Sequence, residues 1–517
     1  MTNESHLSLS NDSIAALSSM ARGIEKEGLR FTPDGLISQT RHPQALGSTL
    51  THPLITTDYS EALLEFITPK LESIEQSLTC LDELHAFTLK NLGAEQVWPA
   101  SMPCKIQGAS SIPIAEYGTS NIGMMKHVYR RGLDVRYGRI MQSIAGIHYN
   151  ISFSKEFWAA YQEQLSVTGT ADDFRSDRYF HLIRNFHRYS WVLYYLFGAS
   201  PVLDQSFFGD STPALQKFGK TTWGLQYATS LRMSDLGYTN SAQQDLHIGY
   251  DSLQDYIRTL SHAVHQPYAE YEQKGIKDRH GNYQQLNANI LQIENEYYSE
   301  IRPKRVADTG ERPVQALQRG VVEYIEVRAL DINPFLKTGM DADVCRFIDA
   351  FALYCLLSQS AQQCPNEWAE IAENRKQIIE QGRKPGLELT YCCETKTVQG
   401  WVEHILVGVE QAAELLDQAY ANKDYTGAVN AQKIKAQDPQ QTPSGQVMSK
   451  IDSGYEFFDL IKELSQAHTE EFLQLPMSAA KITEFEQVAT QSRNEQLERE
   501  AEDDVSFEEY LNDYNRL

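Results

Sequence analysis

The chain has 517 residues, of which 41% are hydrophobic and 22% are charged, so it can bury a large core and is not disordered as a whole. Its net charge of −23 disfavours a nucleic-acid or anionic membrane partner, because phosphate groups bind to basic surfaces. An anionic small substrate would have to be bound largely through metal ions.

The start of the chain and its cysteines indicate a soluble cytoplasmic protein. The first residues contain no basic segment followed by an apolar one, so no signal peptide is predicted. The least charged apolar stretch, Ser190–Leu203, is shorter than the roughly 18–20 residues of a spanning helix and contains Gly and Pro. The seven cysteines are scattered and form no C-x-x-C pair, as expected of buried thiols in a reducing compartment.

Short strand-like segments alternate with helical ones along the chain. A helix is predicted to begin at Ser73, which forms a capping box with Gln76 ahead of a leucine-rich stripe. Further helices are predicted over Asp341–Leu357, capped near Asp341 or Asp343, and over Gly400–Tyr420. The charged stretch 494–511 is most simply a surface helix. The predicted strands are Gly23–Phe31, Leu63–Ile67, Ile144–Phe153, Ile290–Tyr298 and Val321–Leu330.

Each predicted strand carries ionisable groups among apolar neighbours. Glu25 and Glu27 are two positions apart, so they share a face and repel each other unless a cation lies between them. One such carboxylate alone is more typical of a solvated face, but the pattern recurs in several segments. The others are Asp58, Glu65, His148 with Asn150, Gln292 with Glu294, Glu296 and Tyr298, and Tyr324 with Glu326 and Arg328.

These groups predict a divalent-metal site on one face of a sheet. Oxygen-rich ligation with at most one imidazole suits Mg²⁺ or Mn²⁺ better than zinc, and so many carboxylates can hold two or three ions.

Two basic clusters stand out in this acidic chain. Either one alone is more typical of a solvated face, but beside a carboxylate–metal sheet they can clamp phosphates, as phosphoryl transfer requires. The chain contains no Walker-type phosphate loop, no G-x-G-x-x-G after a strand, no H-E-x-x-H and no G-x-S-x-G, so any use of ATP would not rely on the common folds. The clusters comprise Lys126, Arg130, Arg131, Arg136 and Arg139, and Arg302, Lys304 and Arg305.

Ordered blocks over about residues 20–390 closely resemble the gamma-proteobacterial type of glutamate–cysteine ligase (γ-glutamylcysteine synthetase), whereas the C-terminal portion matches only loosely. The resemblance implies an α+β fold like that of glutamine synthetase, with a curved antiparallel sheet lining the active site and helices outside it. We expect a single catalytic unit over 1–517, with its core at about 20–390 and a helical portion at about 391–517. The blocks include G-I-E-K-E-G-L-R, L-T-H-P-L-I-T-T-D-Y-S-E-A-L-L-E-F-I-T-P, Y-G-T-S-N-I-G, S-I-A-G-I-H-Y-N, Y-A-T-S-L-R-M-S-D-L-G-Y-T-N, L-Q-I-E-N-E-Y-Y and E-Y-I-E-V-R-A-L-D-I-N-P-F.

The resemblance also implies the first step of glutathione synthesis. ATP, L-glutamate and L-cysteine would give γ-glutamylcysteine, ADP and phosphate through attack of the γ-carboxylate on the terminal phosphate and displacement of phosphate by the cysteine amine. Glutathione would be a candidate feedback inhibitor, and a monomer is expected.

Matching motifs carry the family's functional residues onto this chain. The implied Mg²⁺ ligands are Glu25, Glu27, Asp58, Glu65, His148 and Glu326. Arg130 and Arg328 would stabilise the transferring phosphoryl group. The cysteine pocket would comprise Tyr129, Leu133, Gln142, Arg232, Tyr238 and Tyr298, with Arg232 pairing the substrate carboxylate. The vicinal pair Cys392–Cys393 receives no role.

Two alternatives stay open at this stage. A related ATP-dependent ligase could couple glutamate to a different amine. An acidic cation-binding scaffold is disfavoured, because a pure cation site gains nothing from the nearby positive charge of Arg130 and Arg328.

Overall fold

The structure, a computed structural model, describes residues 7–209, 214–238, 241–244, 246–308, 310–362, 365–391 and 394–516. The side chain of Tyr238 and the pair Cys392–Cys393 lie outside what is described. Among the described residues, no helix combines the length and the apolar character needed to cross a bilayer.

Twelve strands occur in the described part of the chain. The main antiparallel sheet has the order β2–β3–β1–β5–β10–β9, with β4 pairing the end of β1, and two small sheets are formed by β6–β8–β7 and β11–β12. The strands are β1 Ala21–Phe31, β2 Ile55–Thr57, β3 Leu63–Ile67, β4 Gln96–Val97, β5 Ile147–Ser152, β6 Val202–Asp204, β7 Gln216–Lys217, β8 Thr222–Gly224, β9 Ile301–Lys304, β10 Tyr324–Leu330, β11 Glu388–Tyr391 and β12 Glu394–Thr397.

Helices make up most of the remainder, and the chain after β12 is helical. The helices are α1 Asn11–Ala16, α2 Ile74–Asn91, α3 Asn121–Tyr137, α4 Lys155–Gln164, α5 Ala171–Tyr189, α6 Trp191–Phe197, α7 Asp235–Tyr238, α8 Ser241–Gln244, α9 Leu253–His265, α10 Ala269–Lys274, α11 Pro313–Gly320, α12 Ala342–Leu357, α13 Pro365–Gln381, α14 Val398–Tyr420, α15 Asp424–Gln437, α16 Pro443–Asp452, α17 Phe457–Gln474, α18 Ala479–Glu502 and α19 Phe507–Arg516.

The two faces of β1 differ in charge as well as in environment. One face packs against helices, and its buried cations find partners there: Arg22 pairs with Asp349 of α12 at 2.7 Å, and Lys26 Nζ lies 2.7 Å from Nε2 of His85 in α2. The opposite face carries Glu25 and Glu27. The helices therefore cover one side of the sheet and leave its carboxylates on the other.

Most of the predicted elements are confirmed. Four of the five predicted strands are present as β1, β3, β5 and β10. The Ser73 hydroxyl accepts a hydrogen bond from the backbone N–H of Gln76 at the start of α2, and the Asp341 carboxylate accepts one from the N–H of Val344 in α12. Thus α2 begins at its predicted cap, and of the two candidate caps of α12 it is Asp341 that caps the helix.

The predicted strand Ile290–Tyr298 is wrong. This segment is irregular and contains a single 3₁₀ turn, Glu294–Glu296. Both glutamates are buried in ion pairs, Glu294 with Arg312 at 3.0 Å and Glu296 with Arg136 at 2.8 Å. The glutamates lie two positions apart, as on one face of a half-exposed strand, but they are buried because arginines from other elements pair with them.

The prediction of one charged surface helix over 494–511 is also wrong. The segment contains the end of α18, a break at 503–506 and the start of α19. Leu511 and Tyr514 of α19 are buried in a small apolar cluster with Met125, Val128 and Leu286. The acidic residues have structural partners as well, because the Asp503 carboxylate accepts a hydrogen bond from the backbone N–H of Asn121 at 2.5 Å.

Candidate active site

Strand register brings five of the six predicted metal ligands onto one face of the main sheet, and the sixth, Asp58, directly follows β2. Glu27 of β1 lies directly opposite Glu65 of β3, and Glu25 lies opposite His148 of β5. On the far side of β5, Glu326 of β10 is opposite Asn150. Because directly opposed residues point to the same face, three neighbouring strand pairs contribute to one acidic surface.

His148 lies at the centre of this surface. Its Nδ1 is 3.2 Å from Glu25 Oε2 and 3.9 Å from Glu326 Oε1, and its Nε2 is 3.8 Å from Glu27 Oε1. Glu25, Glu65 and His148 each offer a ligand atom within 4.8 Å of the other two. The structure thus places these residues at the separation of groups that share a metal ion.

The carboxylates on this face carry unequal pKa shifts. Burial, together with the negative charges of Glu25, Asp58 and Glu27, raises the pKa of Glu65 well above its usual value. Burial and Asp58 likewise raise the pKa of Glu27. Glu65 is therefore the carboxyl on which the like charges converge, and the positive charge of Arg130 offsets only part of their effect.

Glu25 and Glu326 show the opposite shift. Burial alone would raise both pKa values, but the hydrogen bond from His148 lowers that of Glu25. Lys304 and Arg328, each 3.4 Å from Glu326, hold the pKa of that carboxyl well below its ordinary range. These two groups are ready as anionic ligands near neutral pH.

The donor set fits Mg²⁺ or Mn²⁺. It consists of carboxylate oxygens and one imidazole, which matches the ligand preference of these ions. Oε2 of Glu326 is buried and accepts no hydrogen bond from the described residues, so a lone pair is available for a cation. Two carboxylates directly opposed on neighbouring strands, Glu27 and Glu65, also gain from a positive charge between them.

Tyr117 links two of the predicted residues and received no role from the sequence. Its hydroxyl donates to the backbone carbonyls of Thr57 and Asp58 at 2.8 and 2.9 Å, and its ring lies 4.5 Å from the Arg130 guanidinium. Arg130 Nε also donates to the Asp58 carbonyl, at 2.5 Å. The guanidinium is thereby held against the segment that carries Asp58.

Arg328 and Arg232 lie beside the carboxylates from the other direction. Arg232 is buried, and its Nη2 donates to the backbone carbonyl of Arg328 at 3.1 Å. Gly146 separates Arg232 from Glu27: its N–H donates to Glu27 Oε2 at 2.6 Å, and a Cβ at this position would lie 2.1 Å from Arg232 Nη2. A side chain larger than hydrogen at position 146 would therefore displace one of them.

Apart from Arg232 and Tyr238, the predicted cysteine-pocket residues come from three segments. Tyr129 and Leu133 are one turn apart on α3, the helix of Arg130, and Gln142 lies in the 3₁₀ turn Met141–Ser143 just before β5. The backbone N–H of Tyr298 donates to Oε1 of Gln243 at 3.2 Å. The assignment of these residues to a cysteine pocket stays a prediction.

Several members of the basic clusters have partners within the protein. Arg136 is buried against Glu296 and Gln285, and Arg302 donates to backbone carbonyls of Asn295 and Tyr297. Arg131, Arg139 and Arg305 likewise have partners elsewhere, in Asp278, Asp134 and the Gly320 carbonyl. These partners favour structural roles for Arg131, Arg136, Arg139 and Arg305, whereas Arg130 and Lys304 border the carboxylates and Arg302 lies directly opposite Glu326 in the sheet. The interpretation of the clusters as phosphate clamps stays a prediction.

A separate cleft of about 860 Å³ lies along the opposite face of α3. Met124, His127, Val128 and Arg131 line it, and their helical spacing sets them about half a turn away from Tyr129, Arg130 and Leu133. Among the described residues, no predicted ligand or substrate residue lines this cleft, so it is not the site of the carboxylate cluster.

Comparison with known proteins decides the family. The family model described as glutamate–cysteine ligase matches residues 7–378. The chain belongs to the glutamate–cysteine ligase family. Among curated members of this family, the ligase of Hahella chejuensis is 49% identical over 505 residues, covering 96% of each chain. The ligase of Alcanivorax borkumensis is 47% identical, covering 98% of each chain.

Solved structures agree with this membership. The crystal structure of glutamate–cysteine ligase from Francisella tularensis in complex with AMP is 36% identical, with a TM-score of 0.91, and the alignment covers 96% of this chain and 98% of that one. A bifunctional glutathione synthetase from Pasteurella multocida, at 24% identity and a TM-score of 0.73 over 93% of this chain and 57% of that one, shares the fold. The predicted family, ligase class and glutamine synthetase-like fold are confirmed.

Proposed function

We propose that this family member joins the γ-carboxylate of L-glutamate to the amine of L-cysteine, converting ATP to ADP and phosphate, as the first step of glutathione synthesis. The main observation is the cluster of Glu25, Glu65 and His148, bordered by Glu326 and by the guanidinium groups of Arg130 and Arg328. Anionic ligands beside fixed cations suit a reaction in which one anion attacks a highly charged phosphate.

In this proposal Glu25, Glu27, Asp58, Glu65, His148 and Glu326 hold two or three Mg²⁺ ions, with Mn²⁺ as an alternative. When bound, these ions supply charge neutralisation for the triphosphate. The protein's own carboxylates are fixed for this task by strand register and, for Glu25 and Glu27, by hydrogen bonds from Asn150 and the Gly146 N–H.

Arg130 and Arg328 serve the first chemical step. A γ-carboxylate oxygen of glutamate forms a bond to the terminal phosphorus of ATP, and the bond from that phosphorus to the ADP oxygen breaks. The negative charge on the transferring group increases near the two guanidinium groups. Arg130 is oriented by Tyr117 and the Asp58 carbonyl, so little reorganisation is needed when this charge develops.

The second step takes place at the acyl carbon of γ-glutamyl phosphate. The free amine of cysteine forms the amide bond, phosphate leaves with the electron pair of the acyl carbon–oxygen bond, and the proton lost by the amine passes to the released phosphate. We assign recognition of cysteine to Tyr129, Leu133, Gln142, Arg232, Tyr238 and Tyr298, with buried Arg232 pairing the carboxylate of the substrate. Desolvation strengthens that pairing. Glutathione inhibition, a monomeric state and a cytoplasmic location also belong to this proposal.

The test measures phosphate release from ATP and Mg²⁺ with glutamate alone, cysteine alone and both together. We expect rapid release only with both amino acids, with γ-glutamylcysteine formed in equal amount. Glu326→Gln should lower kcat by at least about 10²-fold, since a fixed charge is lost from a preorganised site. Release that does not depend on cysteine, or a clear preference for ammonia, would contradict this function and favour a ligase with a different acceptor.

A further inference from the structure

We propose that α19 is a positioning element of the cysteine pocket. In this proposal Asn515 of α19 contacts the loop that carries Gln292, and Gln292 in turn positions helix α3. This inference rests on the proposed function, because the residues that it positions are those assigned above to cysteine recognition.

The first link joins α19 to the loop before Gln292. Asn515 uses both ends of its amide: Nδ2 donates to the Leu286 carbonyl at 3.3 Å, and Oδ1 accepts from Nδ2 of Asn287 at 3.2 Å. Leu511 and Tyr514, on the same face of α19, are buried against Leu286 and against α3. The helix therefore contacts α3 and the loop at once.

The second link joins the loop to α3. Gln292 is buried; its Oε1 accepts from the Leu286 N–H at 3.0 Å, and its Nε2 donates to the Tyr129 carbonyl at 3.2 Å. Within an α-helix the carbonyl of Tyr129 faces the N–H of Leu133, so Gln292 binds at the turn that bears both residues. Asn287 contributes a further contact by donating to the Gln292 carbonyl at 3.0 Å.

The contact between Gln292 and α3 is too close to absorb movement. Gly132 lies between Tyr129 and Leu133, and a Cβ on it would lie 2.0 Å from Oε1 of Gln292. The amide thus packs directly on the helix backbone. A displacement of Gln292 therefore moves the turn of Tyr129 and Leu133, because no flexible side chain separates them.

This linkage does not contact the carboxylate cluster. Glu25, Glu65 and His148 are held by β1, β3 and β5, which the linkage does not touch. Arg130 lies in the same turn as Tyr129 and Leu133, but its guanidinium is held separately, by the Tyr117 ring and the Asp58 carbonyl. Loss of the Asn515 contacts should therefore weaken the use of cysteine and leave the use of ATP and glutamate intact. A purely structural role for α19 predicts a different result: fewer active molecules and a lower kcat, with all three KM values unchanged.

The experiment measures KM for each substrate and kcat in the full-length protein. Asn515→Ala is compared with Asn512→Ala, a matched control that removes an exposed asparagine from the same helix. We expect Asn515→Ala to raise KM for cysteine about threefold to tenfold, the effect of losing one or two hydrogen bonds, with KM for ATP and glutamate unchanged. Asn515→Asp keeps the oxygen that accepts from Asn287 and should restore part of the loss. Asn512→Ala should behave like the wild type.

A double-mutant cycle tests the route through Gln292. Gln292→Ala should raise KM for cysteine at least as much as Asn515→Ala does, and the double variant should show no further increase, because both changes break one linkage. An unchanged KM for cysteine in Asn515→Ala, equal increases in all three KM values, or effects that multiply in the double variant would overturn the inference. Wild-type protein without cysteine-dependent turnover would instead refute the proposed function.

Discussion

Glu65→Gln separates the catalytic use of the carboxylate cluster from its cost in stability. Glu65 lies opposite Glu27 in the sheet, and its ligand oxygen is within 4.8 Å of that of Glu25. Without a metal ion these charges repel one another. Replacing Glu65 by its neutral isostere removes the repulsion and keeps the shape of the side chain.

The expected gain follows from Coulomb's law. Two unit charges 4.8 Å apart at an effective dielectric constant of about 20 repel by about 3.5 kcal/mol. Proton uptake by Glu65 relieves part of this, so we expect the metal-free variant to be about 1–3 kcal/mol more stable than the metal-free wild type. For 517 residues the entropy of unfolding is about 1 kcal/mol per kelvin, so Tm should rise by about 1–3 °C.

The gain should depend on pH with a defined sign. The pKa of Glu65 is raised in the folded protein, so the wild type is most stable where this carboxyl is protonated and loses that stability as pH rises through the raised pKa. The difference between variant and wild type should be small at about pH 5 and largest at about pH 8.

The assay is thermal unfolding of chelator-treated protein over this pH range, with and without Mg²⁺, together with turnover. Mg²⁺ should stabilise the wild type more than the variant and reverse their order, while the variant should have lost most of its activity. Glu502→Gln, which neutralises an exposed carboxylate, is the control. Equal unfolding profiles for Glu65→Gln and wild type at every pH, with equal responses to Mg²⁺, would refute the reasoning.

Three further variants test separate parts of the site. Arg130→Lys should lower kcat about 10²-fold at saturating substrates, because lysine cannot both stack on Tyr117 and donate to the Asp58 carbonyl as the guanidinium does. An unchanged kcat would mean that the phosphoryl group is transferred elsewhere. Lys304→Met should shift the acidic limb of the pH profile of kcat/KM to higher pH, because it removes a positive charge that lowers the pKa of buried Glu326. An unshifted limb would mean that the titration of Glu326 does not determine it. Arg136→Met should lower the free energy of unfolding by about 3–5 kcal/mol, because its glutamate partner would be left buried and unpaired. Denaturant unfolding measures this change, and an unchanged free energy would contradict the structural role.

The strands that bear the carboxylates were predictable because their signal is local. A period of two sets Glu25 and Glu27 on one face whatever the rest of the chain does, and the prediction of β1 needed no partner. The pairing of Glu27 with Glu65 and of Glu25 with His148 is a property of the sheet. The recurrence of ionisable groups in several segments predicted that they share one face, and the assignment of individual ligands came from the family resemblance. Their roles as ligands stay predictions.

The wrong predictions occurred where a similar local pattern arises from contacts with residues far away in the sequence. Glu294 and Glu296 alternate with apolar residues as on a half-exposed strand, yet each is buried against an arginine from another element. Asn515 and Asn287 are 228 positions apart, and nothing in either segment indicates their contact. Tyr117 was similarly missed, because one tyrosine in a loop has no pattern to distinguish it.

The alternation of charge sign along β1 also constrains how the sheet assembles. Arg22 and Lys26 point to the helices, whereas Glu25 and Glu27 point away from them. If β1 were to slip by one position against its neighbours, every side chain would change sides: two glutamates would enter the apolar layer, and a lysine would join the acidic face. A misaligned form of this sheet would therefore be destabilised on both of its faces. The charged residues of β1 thus favour the correct register during folding, in addition to the role proposed for Glu25 and Glu27.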